Sequence, residues 1–500
     1  MTTVPGHDPH PPTAELARAG ADRLAADLAA GRTTSVALTR ALLERIAAVD
    51  DAGPELRAVL AVSADALDQA ALLDAEREAG QLRGPLHGIP VLVKDNIEAV
   101  GLPATAGSLA LAGRPVVRDA PLVASMRAAG LVVLGSTSLS EWANMRSPHS
   151  TSGWSAVGGL TGNPWALDRS AGGSSAGSGA AVAAGLTPFA VGTETDGSIT
   201  CPSSLTGVVG LKPTVGLVST DGVVPLAPSQ DAPGPMARSV RDAALLLDAM
   251  TGSSEYAAAP GSRSLDELRL GVADGWRTGH AATDALFVEV LARLASAGCT
   301  LEPVAVQPVD AAVEQHELDV LVNELGDALD RYLSARPGDG VRSVAEVVAF
   351  NEAHADLELA HFGQEFLEAA CAAGGTGTEE YAAARSACLA WALDEMLVPA
   401  FAGDPGPDLL VAPAYAPAWK SDLVAGDHLV GGGAASTAPS IAGWPVLCLP
   451  MGLVHGLPVG LVLVGRPRDE ELLLAAGHAV EQAIGVVGTL APTWTPPGRG

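Results

Sequence analysis

The chain has 500 residues, 48% hydrophobic and only 17% charged, a balance that supports a large buried interior and excludes a disordered polymer. Lysine and arginine number 29 against 57 aspartates and glutamates, a net charge of -28, which disfavours nucleic acid and anionic membrane surfaces as partners because both are polyanions. Residues 1–12 carry neither a basic start nor an apolar run, so no secretory or transit signal is expected and the predicted location is cytoplasmic. Cys201, Cys299, Cys371, Cys388 and Cys448 are scattered without Cys-x-x-Cys spacing, which predicts reduced, mostly buried thiols rather than disulfides or a zinc ribbon.

In chain order, apolar residues at three- and four-residue spacing predict a helix over 13–30, ended by Gly31, and another over 36–49, capped by Thr34. A third helix, 64–79, leads through Gly84, Pro85 and Gly88 into the β-branched run 89–93, a buried strand that ends in Lys94-Asp95-Asn96. Helix 121–130 and strand 131–134 follow, then helix 178–184 and strand 189–193. This alternation predicts an α/β protein with a mixed sheet and helices on its faces. Residues 310–399 read as helix-rich with breaks at Gly338, Gly340 and Gly374-Gly375, which makes 310–400 a candidate cap or insertion. Strands return at 409–411 and within 446–465. The latter stretch is apolar enough for a membrane span, but Pro450, His455 and Pro458 divide it, and two buried strands are expected instead. The last helix is predicted over 469–484. Residues 1–500 are expected to form a single domain, with helices in 13–80 packed on it and 492–500 as a loose tail.

Chemistry concentrates in 147–211, where only Asp168, Arg169, Glu194 and Asp196 are charged and Gly, Ser, Thr and Ala crowd the chain. Trp154, Trp165, Val182, Phe189 and Val191 interrupt it, so the segment reads as a tightly turned buried site rather than a linker. Upstream, Lys94 directly follows an apolar strand, where burial would lower its pKa and make the neutral amine a base; a lysine that emerges into water or pairs with Asp95 is the alternative. The turn Ala171-Gly172-Gly173-Ser174-Ser175-Ala176-Gly177-Ser178-Gly179 puts hydroxyls and converging N–H groups at the mouth of an Ala-rich helix. It lacks the lysine of a P-loop, which argues against nucleotide binding. Gly173 to Gly177 also fits Gly-x-Ser-x-Gly, which would make Ser175 a nucleophile. Gly192-Thr193-Glu194-Thr195-Asp196-Gly197-Ser198-Ile199 follows a strand and presents Ser198 where successive N–H groups can face a carbonyl oxygen. None of the histidines has His-Glu-x-x-His spacing, so no metal site is expected.

Taken together, Lys94, Ser174 and Ser198 in their strings resemble the amidase signature family. The likeness covers nearly the whole chain: Gly88-Ile89-Pro90-Val91-Leu92-Val93-Lys94-Asp95-Asn96, Asn163-Pro164-Trp165, Gly172-Gly173-Ser174-Ser175, Gly197-Ser198-Ile199, Gly207-Val208-Val209-Gly210-Leu211-Lys212-Pro213-Thr214 and Leu457-Pro458-Val459-Gly460-Leu461. The resemblance implies the amidase signature fold, a large mixed β-sheet flanked by helices on both faces. It also implies a Ser/cis-Ser/Lys triad, with Ser198 as nucleophile, Ser174 as bridging serine in a cis peptide, and Lys94 as terminal base. The oxyanion hole would then be the backbone N–H groups of Thr195, Asp196, Gly197 and Ser198.

Asp196 and Thr200 stand where the commonest family pattern has glycine and arginine. With Ser140-Glu141-Trp142-Ala143-Asn144 and Ser152-Gly153-Trp154-Ser155, they make the chain similar to the peptide amidase branch, which removes C-terminal amides and releases ammonia. The expected partner is therefore a peptide amide or small-molecule amide, with no metal or organic cofactor, in a monomer or homodimer. Asn144 and Met145 are the candidate substrate-binding residues. The same triad would serve anilides, esters or carbamates. A rival of another class is the signature-bearing subunit of the tRNA-dependent amidotransferase, which works only in a complex.

Overall fold

The computed structural model describes residues 19–486 and 490–492. Among them, eleven strands form one sheet: β1 (Val59–Val62), β2 (Pro90–Lys94), β3 (Val132–Thr137), β4 (Phe189–Glu194), β5 (Val209–Lys212), β6 (Ala232–Ala237), β7 (Arg269–Val272), β8 (Thr300–Pro303), β9 (Leu409–Pro413), β10 (Val446–Val454) and β11 (Leu457–Val464). Their spatial order is β1-β3-β2-β4-β6-β5-β10-β11-β9-β7-β8. β2 runs parallel to β3 and β4, and β7 parallel to β8 and β9, while the other pairs are antiparallel.

Side-chain alternation shows both faces of the sheet covered. Leu409 and Val411 of β9, with Leu447 and Leu449 of β10, enter an apolar cluster that includes Leu38, Leu247 and Leu473 from helices Ser35–Val49, Val240–Thr251 and Glu470–Ile484. Leu410 and Ala412, with Val446 and Cys448, point the other way, into a cluster with Trp165, Trp276, Trp391 and Trp444. The architecture is thus the expected α/β one.

The 446–465 stretch is two strands, as predicted, joined through His455 (φ 54°) and Gly456 (φ 79°), the two positive dihedrals of a tight hairpin turn. No helix among the described residues is long and apolar enough to cross a membrane. Thr34 caps the helix Ser35–Val49, accepting from the Ala37 N–H. Of the predicted 13–30 helix, Ala21–Ala29 is present; residues 13–18 and all of the expected tail but residue 492 lie outside the described residues. Four of the five cysteines are buried and Cys371 is exposed, all of them free.

Strands β1, β5, β6, β7 and β8 were not signalled by the sequence pattern. In β6 the reason is Pro233 and Pro235, which normally exclude an interior strand. Here β5 pairs only with Met236 and Ala237, so neither proline has a ladder partner on that side. Between residues 311 and 397 the chain is helical as predicted: Ala311–Ala335, Val344–Ala353, Ala355–Glu358, Glu365–Ala372 and Glu379–Leu389, followed by a wide-turn helix Ala390–Leu397. Asp310 caps the first by accepting from the N–H groups of Ala312 and Val313. These helices pack Val322, Leu325 and Leu329 against Trp142, Met145 and Leu226.

Candidate active site

Lys94 closes β2, whose five residues are all buried, so its amine is delivered into the interior beside β4. Its Nζ lies 2.8 Å from Ser174 Oγ, 2.9 Å from Thr193 Oγ1 and 3.2 Å from the Thr193 carbonyl oxygen. Burial pulls the Lys94 pKa down to about 7, against the opposing pull of the Asp231 and Glu194 carboxylates.

Ser174 follows a cis Gly173–Ser174 peptide bond, as the resemblance implied, and leads into the helix Ala176–Ala184. Small residues are required there: a Cβ on Gly173 would lie 2.4 Å from Ser140 Oγ, and one on Gly177 would lie 2.4 Å from the Ala58 carbonyl oxygen. Ser175 is tied to β4, donating to the Thr193 carbonyl (3.1 Å) and accepting from the Thr193 N–H (3.2 Å). Its hydroxyl is fully buried, a structural role rather than that of an exposed elbow nucleophile.

Ser198 sits in the turn between β4 and the helix Thr200–Thr206. Its carbonyl accepts from the Ser175 N–H at 3.1 Å, which joins this turn to the one that carries Ser174. Lys94 and Ser174 are 0% exposed and Ser198 is 8% exposed, so of the three only Ser198 reaches the surface. Glu194 clamps the turn by accepting from the N–H groups of Ile199 (2.6 Å) and Thr200 (2.8 Å), and its buried charge faces Lys212, whose pKa burial lowers to about 8. Among the described residues the N–H groups of Thr195, Asp196, Gly197 and Ser198 donate to no protein acceptor, which leaves them free for an oxyanion. Gly197 has φ 79°, and a Cβ there would lie 2.5 Å from the Tyr415 hydroxyl oxygen, so no other residue fits.

The Thr195 side chain donates to Asp231 at 2.6 Å, while Asp196 accepts from Ser436 (2.7 Å) and Thr437 (2.9 Å) at the start of the helix Ala434–Ala442. Burial raises the pKa of Asp196 and pushes Glu317, on the helix Ala311–Ala335, up to about 8. Glu317 accepts from Gln230, whose amide also donates to the Thr195 carbonyl at 3.4 Å. The helical segment therefore reaches the turn that carries Ser198.

Asn144 and Met145 end a left-handed turn in which Trp142, Ala143 and Asn144 all have positive φ (48°, 55° and 73°). Such geometry costs about 1–2 kcal/mol per non-glycine residue. The N–H groups of Trp142, Ala143 and Met145 hold it by donating to the carbonyls of Ala106, Ser140 and Trp142. Asn144 donates to Ser152 Oγ at 3.1 Å and leaves its buried Oδ1 unpartnered, whereas Met145 packs into the apolar cluster under the helices. Ser152 in turn donates to Asp427, which also accepts from the Trp419 indole.

The structure thus gathers Lys94, Ser174, Ser198 and the N–H groups of residues 195–198, places Asn144 against Ser152, whose Oγ would lie 2.9 Å from a Cβ on Gly173, and sets the Met145 side chain into the neighbouring core. The sequence reading gave no role to Thr193, Asn96, Lys212, Asp231, Tyr415 or Asp427. Lys212 had a usable signal, a lysine ending the apolar run Val208-Val209-Gly210-Leu211 as Lys94 ends its own. Asp231, Tyr415 and Asp427 come from remote loops and carry no local pattern.

The family model for amidases matches residues 37–474. A glutamyl-tRNA(Gln) amidotransferase subunit of Symbiobacterium thermophilum is 34% identical over 480 residues, spanning 91% of this chain and 94% of that protein. A probable amidase of Arabidopsis thaliana is 35% identical over 474 residues, 90% of this chain and 87% of that one. Among solved structures, peptide amidase PAM bound to the competitive inhibitor chymostatin superposes with TM-score 0.87 at 43% identity, covering 93% of this chain and 97% of that chain. The native peptide amidase from Stenotrophomonas maltophilia gives TM-score 0.86 at 42% identity with the same coverage. A match over that span, together with relatives at 34% to 43% identity along nearly the whole chain, means that the chain belongs to the amidase signature family and is an amidase, a hydrolase acting on C–N bonds.

Proposed function

We propose that this enzyme hydrolyses the terminal carboxamide of peptides or peptide-like amides and releases ammonia, through a Ser198/cis-Ser174/Lys94 triad. The observation that carries the triad is the 2.8 Å contact between Ser174 and a fully buried lysine whose pKa lies near 7. Neutral Lys94 takes the Ser174 proton as Ser174 takes that of Ser198. The Ser198 oxygen then bonds to the amide carbon, and the carbonyl electron pair moves onto the oxygen facing the free N–H groups. Collapse of this intermediate breaks the C–N bond; Ser174 returns a proton to the departing nitrogen and ammonia leaves. Water, deprotonated along the same relay, then attacks the acyl-Ser198 ester and releases the acid.

The peptide assignment is supported by the 43% identity to a peptide amidase and by the Asp196 and Thr200 pattern. Asn144, with its unpartnered Oδ1, forms a wall for the acyl side in this reading, with Met145 in the core behind it, and the helices of residues 311–397 cap it. The amidotransferase relatives make glutamine the necessary comparison substrate.

Four compounds separate these readings: an N-blocked dipeptide amide, glutamine, an anilide and an aryl carbamate. Ammonia release from the dipeptide amide, at least tenfold faster than from glutamine, is the expected outcome. It should fall as pH drops through about 7, because protonated Lys94 cannot accept a proton. Turnover confined to the anilide or carbamate would retain the triad and remove the peptide substrate.

A further inference from the structure

We propose that Thr193, itself gripped by Asn96, is a positioning residue that aims the lone pair of the Lys94 amine at Ser174. The proposal rests on the triad reading above.

An amine that works as a base must present its lone pair to one partner, yet a primary amine on four rotatable bonds has no intrinsic direction. Around Lys94 Nζ the acceptors are Ser174 Oγ, Thr193 Oγ1 and the Thr193 carbonyl oxygen. Two of the three belong to one residue. The carbonyl is fixed by β4, where Thr193 stands opposite Pro233, and it can only accept, so it holds one N–H in either protonation state. The hydroxyl oxygen is fixed by Asn96, whose Nδ2 donates to it at 3.0 Å. With two hydrogens of the neutral amine committed to Thr193, the remaining tetrahedral position faces Ser174.

When the proton arrives, the ammonium finds three acceptors for three N–H groups, so the same cradle fits the product of the transfer. Asn96 supports the reading independently. Its Nδ2 is spent on Thr193, while its buried Oδ1 has no partner. A buried amide left half-satisfied costs stability, which is expected where the one bond it makes is needed for function.

The test reads Ser198 reactivity without depending on acyl specificity. An alkyl fluorophosphonate phosphonylates an activated serine: the Ser198 oxygen bonds to phosphorus, fluoride leaves, and the serine proton passes to the relay. Its rate, followed by intact mass from pH 5 to 10, gives a plateau and an acid limb. Thr193→Val keeps the carbonyl and removes the hydroxyl; the plateau should fall roughly 10- to 100-fold, the scale of a misplaced reacting group. The acid limb should move to lower pH, because the ammonium has lost an acceptor. Thr193→Ser should restore both to near the wild-type profile. Asn96→Ala should lower the plateau with Thr193 intact, and should add nothing to Thr193→Val.

A wild-type plateau and limb in Thr193→Val, or failure of Thr193→Ser to restore them, would overturn the proposal. Should Thr193→Val not fold, a wild-type profile in Asn96→Ala overturns it equally. The triad reading fails separately, by labelling of Lys94→Ala at the wild-type rate.

Discussion

Replacing Ser198 by alanine is expected to lower kcat by on the order of 10⁴- to 10⁶-fold, the range seen when a member of a nucleophilic unit is deleted. Lys94→Ala should fall into the same range. The two losses should not add in the double variant, because in the proposed mechanism each alone disables the one relay that activates the nucleophile. KM for the best substrate should stay within a few-fold, since neither side chain is needed to bind the ground state. Ser175→Ala provides the contrast. Its hydroxyl is spent on both backbone groups of Thr193, so the variant should lose some stability and keep turnover within about tenfold of wild type. Steady-state kinetics on purified, folded variants decide the matter. A Ser175→Ala variant as dead as Ser198→Ala would point to the other serine.

Arg146→Met is expected to be the most destabilising single substitution near the site. The Arg146 guanidinium is 0% exposed, donates to Glu141 at 2.7 Å and lies 3.8 Å from Glu358, both equally buried. It also donates to the carbonyls of Phe362 (3.1 Å) and Gly363 (3.1 Å), with its Cζ over the rings of Trp154 and Phe362, 5.0 Å and 3.9 Å from their centroids. It thereby fastens the left-handed 142–144 turn to the helical segment. Removing one partner of a buried ion cluster costs about 3–5 kcal/mol, because the stranded charges cannot return to water.

Burial already holds Glu141 up to about 8 even with the arginine present. A carboxyl whose folded pKa lies above its unfolded value stabilises the fold at low pH and loses that contribution as pH rises through the folded value. The deficit of Arg146→Met relative to wild type should therefore be largest at pH 9, where the wild-type carboxyl ionises beside the arginine and the variant's is held protonated, and smaller at pH 5. Urea denaturation at the two pH values measures it. An equal deficit at both would mean that lost packing, not stranded charge, is the cause.

The part of this molecule that was legible in sequence is the part governed by local rules. Periodic apolar positions and a Thr34 cap placed the helix Ser35–Val49, and a β-branched run ending in lysine placed β2 with its amine. The 171–179 and 192–199 strings placed the two serine turns because tight turns need particular residues at particular positions. Strand β6 was hidden because its prolines break the usual rule, and they are tolerated only where β5 stops short, a fact of tertiary arrangement. The carboxylate of Asp231, the phenol of Tyr415 and the Asp427 anchor under Ser152 reach the site from loops 33 to 229 residues beyond Ser198; nothing in their own neighbourhoods marks them. Asn144 was picked out from its loop, but the left-handed backbone that sets its amide against Ser152 is held in part by the carbonyl of Ala106, which lies outside any motif.

In the proposed mechanism the Ser198 hydroxyl carries the covalent intermediate. The most direct measurement is to quench turnover of an aryl carbamate in acid, where a carbamoyl-enzyme breaks down slowly, and to locate the added mass by peptide mapping. One carbamoyl group is expected, carried on Ser198 and absent from Ser198→Ala. The same adduct on Ser174 or Ser175, or turnover that passes through no adduct, would contradict it.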